Sequence, residues 1–393
     1  MVTQELSGLL PSIRDQFPML ERWRHFNCGG MAPLSRAVSE ELLRVPSVVA
    51  QEGPLRLLSH DESFLGIETA RATLARFIGA VPEQIAFTTQ FSTAANIVFE
   101  GLPWNAGDEI IVTDQEHPAL LIPAANIARR FGCVLKRIPV SEDPAEMLEH
   151  LSALLTERTR LLAVSHVTTD SGTVLPAAEI TRIAHENGTL VFFDGAHSLG
   201  QFPLDMHALD CDFYAMVGYK WVLGPYPSAA LYLKDVDSVE VTWTGSNATK
   251  RGSVTMGVED LEWVDGARRF EYGGRTYSYD TAMAAGIEFV ERLGLPGVQS
   301  HARTLASYLR EALGQIKGAV VRSPTPPAES TGIVTVSLDN LDGAAVSTAL
   351  RDRWNIITRP ALRASSVRIS IAPYTERADV DVLIEALNAL SIE

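Results

Sequence analysis

Lysine is scarce in this 393-residue chain, standing at positions 136, 220, 234, 250 and 317. Lys220 alone follows an apolar, strand-like run, and it sits between two aromatics in Tyr219-Lys220-Trp221. Such a lysine either lays its stem on Trp221 with its amine in water, or is desolvated, which lowers its pKa toward that of an imine-forming amine. Asp194 ends the run TLVFFD and precedes Gly-Ala-His-Ser. It reads as a turn or helix-capping carboxylate, or as a carboxylate that keeps a pyridine nitrogen protonated so that the ring accepts electrons. In FTTQFSTAANIVFEGL, Ser92 and Thr93 either cap a helix or offer hydroxyls and free amides to a phosphate. His117, before Pro118, is a satisfied structural histidine or an imidazole stacked on a flat aromatic ligand.

These residues share a position in the chain's pattern. Short apolar runs at Gln84–Phe87, Glu109–Thr113, Val134–Val140, Leu161–Val164, Leu190–Phe193, Asp212–Val217 and Ala229–Leu233 alternate with helical patterns. Pro144–Leu155 puts Met147, Leu148, Leu151, Leu154 and Leu155 on one stripe behind the start signals Asp143 and Pro144. Ala177–Glu186 follows Pro176 and stops at Asn187-Gly188. Continuous apolar strands alternating with helices predict a mostly parallel sheet covered on both faces. Ligands of such sheets lie beyond the carboxyl ends of the strands. Those ends are Thr88–Thr93, Glu116–Pro118, Ser165–Asp170, Asp194–Ser198 and Gly218–Trp221, where the unusual polar residues collect.

The tail differs. Helical patterns at Met283–Arg292 and Thr304–Leu313, the strand-like Gly332–Val336, and a last helix with Val380, Leu383, Ile384 and Leu387 in register predict a smaller α+β domain. The expected division is an N-terminal segment 1–28 packing with the small domain, a large domain 29–270 and a small domain 271–393. Single cores rarely grow past roughly 250–300 residues, which agrees with two.

Composition narrows the partners. Net charge is −15 and the pI near 5.1, a balance that repels nucleic-acid backbones. Three cysteines, Cys28, Cys133 and Cys211, show no CxxC, so neither a disulfide framework nor a metal site is indicated. The N-terminus lacks a signal-peptide order, and no apolar run approaches the ~18 residues of a membrane span, so a cytoplasmic location is expected. No GxGxxG follows a first strand, which argues against a nicotinamide fold.

The motifs FNCGG (26–30), DQEHP (114–118), SHVTTDSGTVLP (165–176), DGAHSLGQFPLD (194–205), GYKWVLGP (218–225) and VRIS (367–370) together resemble the class V aminotransferase, or cysteine-desulfurase-like, branch of the fold-type I pyridoxal-phosphate enzymes. Within it the similarity is to cystine/cysteine C–S lyases and isopenicillin-N-epimerase-like proteins. The resemblance implies a fold-type I α/β transferase with pyridoxal 5'-phosphate as cofactor. It makes Lys220 the imine-forming lysine and Asp194 the partner of the ring nitrogen, stacks His117 on the ring, and puts His197 near the phenolic oxygen. Ser92 and Thr93 would hold the phosphate, and Arg368 would clamp the substrate carboxylate beside Asn27 and Gly30. It also implies a homodimer with the site at the interface, Arg275 and Thr276 reaching the partner's phosphate. Three residues depart from the family pattern: Tyr219 for the usual His, Val217 for a Ser or Thr, and Asp170 for the Asn near the phenolic oxygen.

For the reaction, a persulfide-forming desulfurase needs a late cysteine, and none follows Cys211. Elimination of a thiol from an S-substituted cysteine needs no protein thiol and ranks first. Transamination, epimerisation and decarboxylation-coupled oxidative deamination are the alternatives, along with a non-catalytic regulatory relative. The aromatic stretch Arg275–Tyr279 suits a bulky S-linked group. The resemblance extends to relatives that act on cysteine S-conjugates in antibiotic pathways, such as lincosamide formation.

Overall fold

The computed structural model describes residues 2–53, 65–250, 261–325, 330–362 and 365–392. After a short N-terminal strand β1 (Arg24–His25), the seven apolar runs form one sheet: β2 (Ile85–Thr88), β3 (Glu109–Thr113), β4 (Val134–Ile138), β5 (Thr159–Ser165), β6 (Leu190–Asp194), β7 (Phe213–Val217) and β8 (Ala229–Leu233). Their order is β2-β8-β7-β6-β5-β3-β4. All run parallel except β8, which is antiparallel to both of its neighbours.

Alternation along the central strands explains why their inner positions are apolar on both faces. Phe193, Tyr214 and Met216 face one core and Phe192, Phe213, Ala215 and Val217 face the other, so both sides of the sheet are buried. Helices cover the two faces, and their starts follow local chemistry. Asp143 accepts from the Ala145 amide ahead of Pro144–Leu154. Ala177–Glu186 ends before Gly188 at φ +74°.

A second, four-stranded antiparallel sheet has the order β12 (Arg359–Pro360), β13 (Val367–Ser370), β10 (Ile333–Leu338) and β9 (Ala319–Val321). It packs on helices Leu295–Leu313 and Arg377–Ile392 around its own apolar core. The helix Ser278–Leu293 instead buries Met283, Ala284 and Ile287 in the core of the large sheet. This helix packs against helices Arg36–Glu52 and Ile67–Phe77. Helix Val2–Arg14 lies on helix Leu295–Leu313. β1 pairs with β11 (Ile356–Ile357), and Arg14 bonds Asp379.

Two histidines are built into these cores in the neutral form. Burial pulls the pKa of His166 and of His25 down to about 4, and each ring Nδ1 lies 2.8 Å from a tyrosine hydroxyl. A base whose folded pKa is depressed contributes stability fully above its unfolded pKa of about 6.5, lost as pH falls toward the folded value. Each should therefore cost about 2 kcal/mol on acidification from pH 7 to 5. Urea titrations at the two pH values should show that loss, and the His166→Gln variant should show a smaller pH dependence by that amount.

Candidate active site

The carboxyl ends of β2, β3, β5, β6 and β7 meet at one rim, and Lys220 hangs over it from the turn after β7. That turn is closed by the Gly218 amide on Ser228 O and the Gly224 amide on Gly218 O. The Lys220 side chain is 8% exposed and its Nζ lies 3.2 Å from His197 Nε2. Burial pulls the amine well below the ordinary lysine range; Arg368 and Arg359 add to that and Asp194 opposes it. Asp194 is displaced the other way, pushed up by burial and held back by Lys220. Low dielectric penalises both charged forms, so each group is ionised only insofar as a counter-charge faces it.

The loop from Asp194 to Ser198 is fixed from behind. Asp194 Oδ1 accepts from the Ala196 amide at 2.8 Å, the Gly195 amide donates to Ala215 O, and Asp194 O accepts from the His166 amide. Beneath it the Tyr214 hydroxyl bonds both His166 Nδ1 and Ser198 Oγ. His197, carried on this loop, is wedged between Lys220 and Trp221. Between β3 and β5, the buried Glu116 carboxylate accepts from Thr113 Oγ1, Ser165 Oγ and the Ser165 amide. That clamp fixes the strand end bearing His117. His117 caps helix Pro118–Phe131, its Nδ1 accepting from the Ala119 amide at 3.1 Å, while its ring lies within Coulombic reach of His197.

Neither Ser92 nor Thr93 is the cap of helix Phe91–Gly101; Gln90 holds that position without a side-chain bond. The Thr93 hydroxyl is 3.4 Å from that of Thr89. Thr88, Thr89 and Thr93 face Gly273, Gly274 and Arg275 across a cavity of about 70 Å³. Arg275 is held in its own chain, by Glu271 and Asp280 at 2.8 Å each, and Glu271 in turn pairs with the buried Arg71. Thr276 is exposed.

From the small sheet, Arg368 enters the same space. Its Nη1 donates to Thr169 O at 3.0 Å, and its buried Nε has no hydrogen-bond partner among the described residues. Burial lowers its pKa to about 10. Asn27 Oδ1 is likewise buried without a partner, and a Cβ on Gly30 would lie 2.3 Å from that oxygen. The Asp170 carboxylate accepts from the Leu362 amide at 2.8 Å, bridging to the small sheet's connecting loop. Val217 is buried in the core, and Tyr219 meets Tyr226 edge to face at 4.9 Å.

The roles of three residues escaped sequence reading. Arg359 stands directly opposite Arg368 in the β12–β13 register, on the same face, and its charge is felt by Lys220, His197 and Arg368. Nothing in the sequence sets that register. Glu116, adjacent to His117, could have been found as an acid at an apolar strand end. Trp221 was read as a surface for lysine's stem, not as a hydrogen-bond donor.

The donor set fits pyridoxal phosphate. A buried amine suits the aldehyde, and the threonine cluster at a helix start suits the phosphate. Asp194 Oδ2, with no hydrogen bond among the described residues, suits a cationic ring nitrogen.

Residues 58–383 match the model of the family described as aminotransferase class V. The isopenicillin N epimerase of Streptomyces clavuligerus is 32% identical over 94% of this chain and 95% of its own length. A cysteine desulfurase of Haloferax volcanii is 30% identical over 84% and 80%. A solved cystine C–S lyase, in complex with its product cysteine persulfide, superposes with a TM-score of 0.88 at 27% identity, covering 95% of this chain and 99% of that one. The chain is a pyridoxal 5'-phosphate enzyme and belongs to the class V aminotransferase family.

Proposed function

We propose that this enzyme is a C–S lyase that eliminates a thiol from an S-substituted cysteine. The placement of its three thiols carries the reading. Cys133 and Cys211 immediately precede β4 and lie just before β7, at the amino ends of strands and across the sheet from Lys220. Cys28 is near the rim, but its thiol donates to Lys220 O and burial pushes its pKa up to about 12. A desulfurase must present a thiolate to the substrate's sulfur. No cysteine of this chain does so, and a lyase needs none.

When bound, the cofactor's protonated ring supplies a sink for the electron pair released at Cα. The rest falls to the protein. Arg368 holds the substrate carboxylate, its free Nε supplying the second bond of a bidentate pair. Asp194 would supply the counter-charge for the ring nitrogen, and His117 would stack on the ring. Ser92 and Thr93 serve the phosphate with the neighbouring Thr89. Lys220, whose hold on its proton is loosened by burial, removes the Cα proton. The Cβ–S bond breaks, the thiolate leaves and takes a proton, and 2-aminoacrylate is hydrolysed to pyruvate and ammonium. Opposed to Arg368, Arg359 suits substrates whose S-linked group carries a second anion.

Two further parts belong to the same proposal. In a homodimer the exposed Thr276 and Gly274 would extend toward the partner's cofactor, with Arg275 as the anchored root of that loop. A role in natural-product biosynthesis gains support from the relative named isopenicillin N epimerase.

Purified enzyme given S-alkyl-cysteines should release thiol and pyruvate in equal amounts. An epimer, an aldehyde, or a keto acid that retains the sulfur would replace the lyase reading with epimerase, decarboxylating deaminase or transaminase. Arg368→Ala should lower kcat/KM by about 100-fold for every substrate, in line with a lost bidentate carboxylate bond. Arg359→Gln should lower it about three- to tenfold for S-carboxyalkyl-cysteines and leave S-ethyl-cysteine within twofold, as steady-state kinetics on the two substrate types will read.

A further inference from the structure

Trp221 is 2% exposed and forms the wall behind Lys220. Its indole Nε1 lies 3.3 Å from His197 Nδ1, while the opposite ring nitrogen, Nε2, lies 3.2 Å from Lys220 Nζ. An indole N–H is a donor and never an acceptor. His197 Nδ1 must then be the bare nitrogen, and in a neutral imidazole the proton is left on Nε2. The ring is neutral: burial above all, with Arg368 and Arg359 adding to it, holds its pKa well below the usual histidine range. An N–H aimed at Nζ forms a hydrogen bond only with an amine that offers its lone pair, because an ammonium has no acceptor.

We infer that Trp221 is a positioning residue that locks the tautomer of His197, turning Nε2–H into a donor directed at Lys220 Nζ and so holding that lysine as the free amine. The packing around the indole leaves it little freedom to do otherwise. A Cβ on Gly29 would lie 3.4 Å from Trp221 Cζ2 and 3.2 Å from His197 Cε1, and one on Gly332 would lie 3.4 Å from Cζ3. The N-terminal FNCGG segment and the residue just ahead of β10 therefore lie close beside the two rings, where only glycine leaves them full room. Around Nζ itself the other charged or titratable groups are Asp194, Arg368, Arg359 and Cys28. Asp194 favours the ammonium, and a donor at His197 Nε2 opposes its pull.

The inference rests on Lys220 as the amine that captures the cofactor, and the test separates the two. In full-length protein labelled with ¹⁵N-histidine, the His197 resonances, assigned by their loss in His197→Gln, should show a protonated Nε2 and a bare Nδ1. A protonated Nδ1 in the native protein would overturn the lock. Placing β-(3-benzothienyl)alanine at position 221 replaces the N–H by sulfur at nearly constant shape. With the lock gone, Nε2 becomes free to accept from the ammonium. The pH profile for pyridoxal-phosphate capture, read as borohydride-fixed label on Lys220, should then move up by about one unit. For an amine titrating at about 7, that shift is a roughly fivefold slower capture at pH 7. An unshifted profile with an unchanged histidine spectrum would also reject the lock, and Trp221→Phe repeats the measurement in a simpler variant. Should native protein acquire no label on Lys220, the cofactor-lysine assignment fails, while the histidine spectrum still decides the tautomer.

Discussion

An amine and a carboxylate share one desolvated space at the end of a parallel sheet, and much of the molecule exists to make that arrangement tolerable. Neither Lys220 nor Asp194 is comfortable when charged there. Isolated ions in such surroundings cost several kcal/mol each unless a partner or a hydrogen bond compensates. The chain uses that cost productively. A lysine that loses its proton easily is a nucleophile and base near neutral pH, and a carboxylate lacking a cation is a receptor for a protonated heterocycle.

The scaffold's rigidity follows from the same demand. Asp194 leaves β6 directly, and Lys220 sits three residues past β7, its neighbour in the sheet. Both strands are buried on both faces, so neither end can drift without disturbing two cores. The polar supports are buried as well: Glu116 binds the ends of β3 and β5 together, and Tyr214 braces the turn that carries His197. Each such group satisfies a neighbour that would otherwise be stranded away from water.

Much of this was legible in the sequence. Continuous apolar runs fixed the strands to within a few residues, and the polar outliers at their ends identified the rim, because parallel sheets bury both faces and leave chemistry to the loops. What escaped depended on register or on atoms. The pairing of Arg359 with Arg368 comes from a short antiparallel contact of two residues, too brief to have a pattern. Asp170, read from the resemblance as a neighbour of the phenolic oxygen, spends a carboxylate oxygen on the Leu362 amide. Periodicity also does not reveal that helix Ser278–Leu293 packs Met283, Ala284 and Ile287 in the core of the large sheet. Ser92 and Thr93 read equally well as caps, and the choice of Gln90 as cap removes that alternative.

The segment from Arg24 to Ala32 is one of several links between the body of the large sheet and that of the small one. It pairs with Ile356–Ile357, takes the Ser370 amide on Phe26 O, donates from the Gly29 amide to Ser370 Oγ, and then bonds Tyr219 and Lys220 through the Ala32 amide and the Cys28 thiol. It works as a tendon, anchored in the small domain and inserted on the lysine turn. A tilt of the small domain that carries Arg368 toward a substrate would thus tug on the backbone of the residue that must react with it, so carboxylate capture and amine placement share one mechanical linkage.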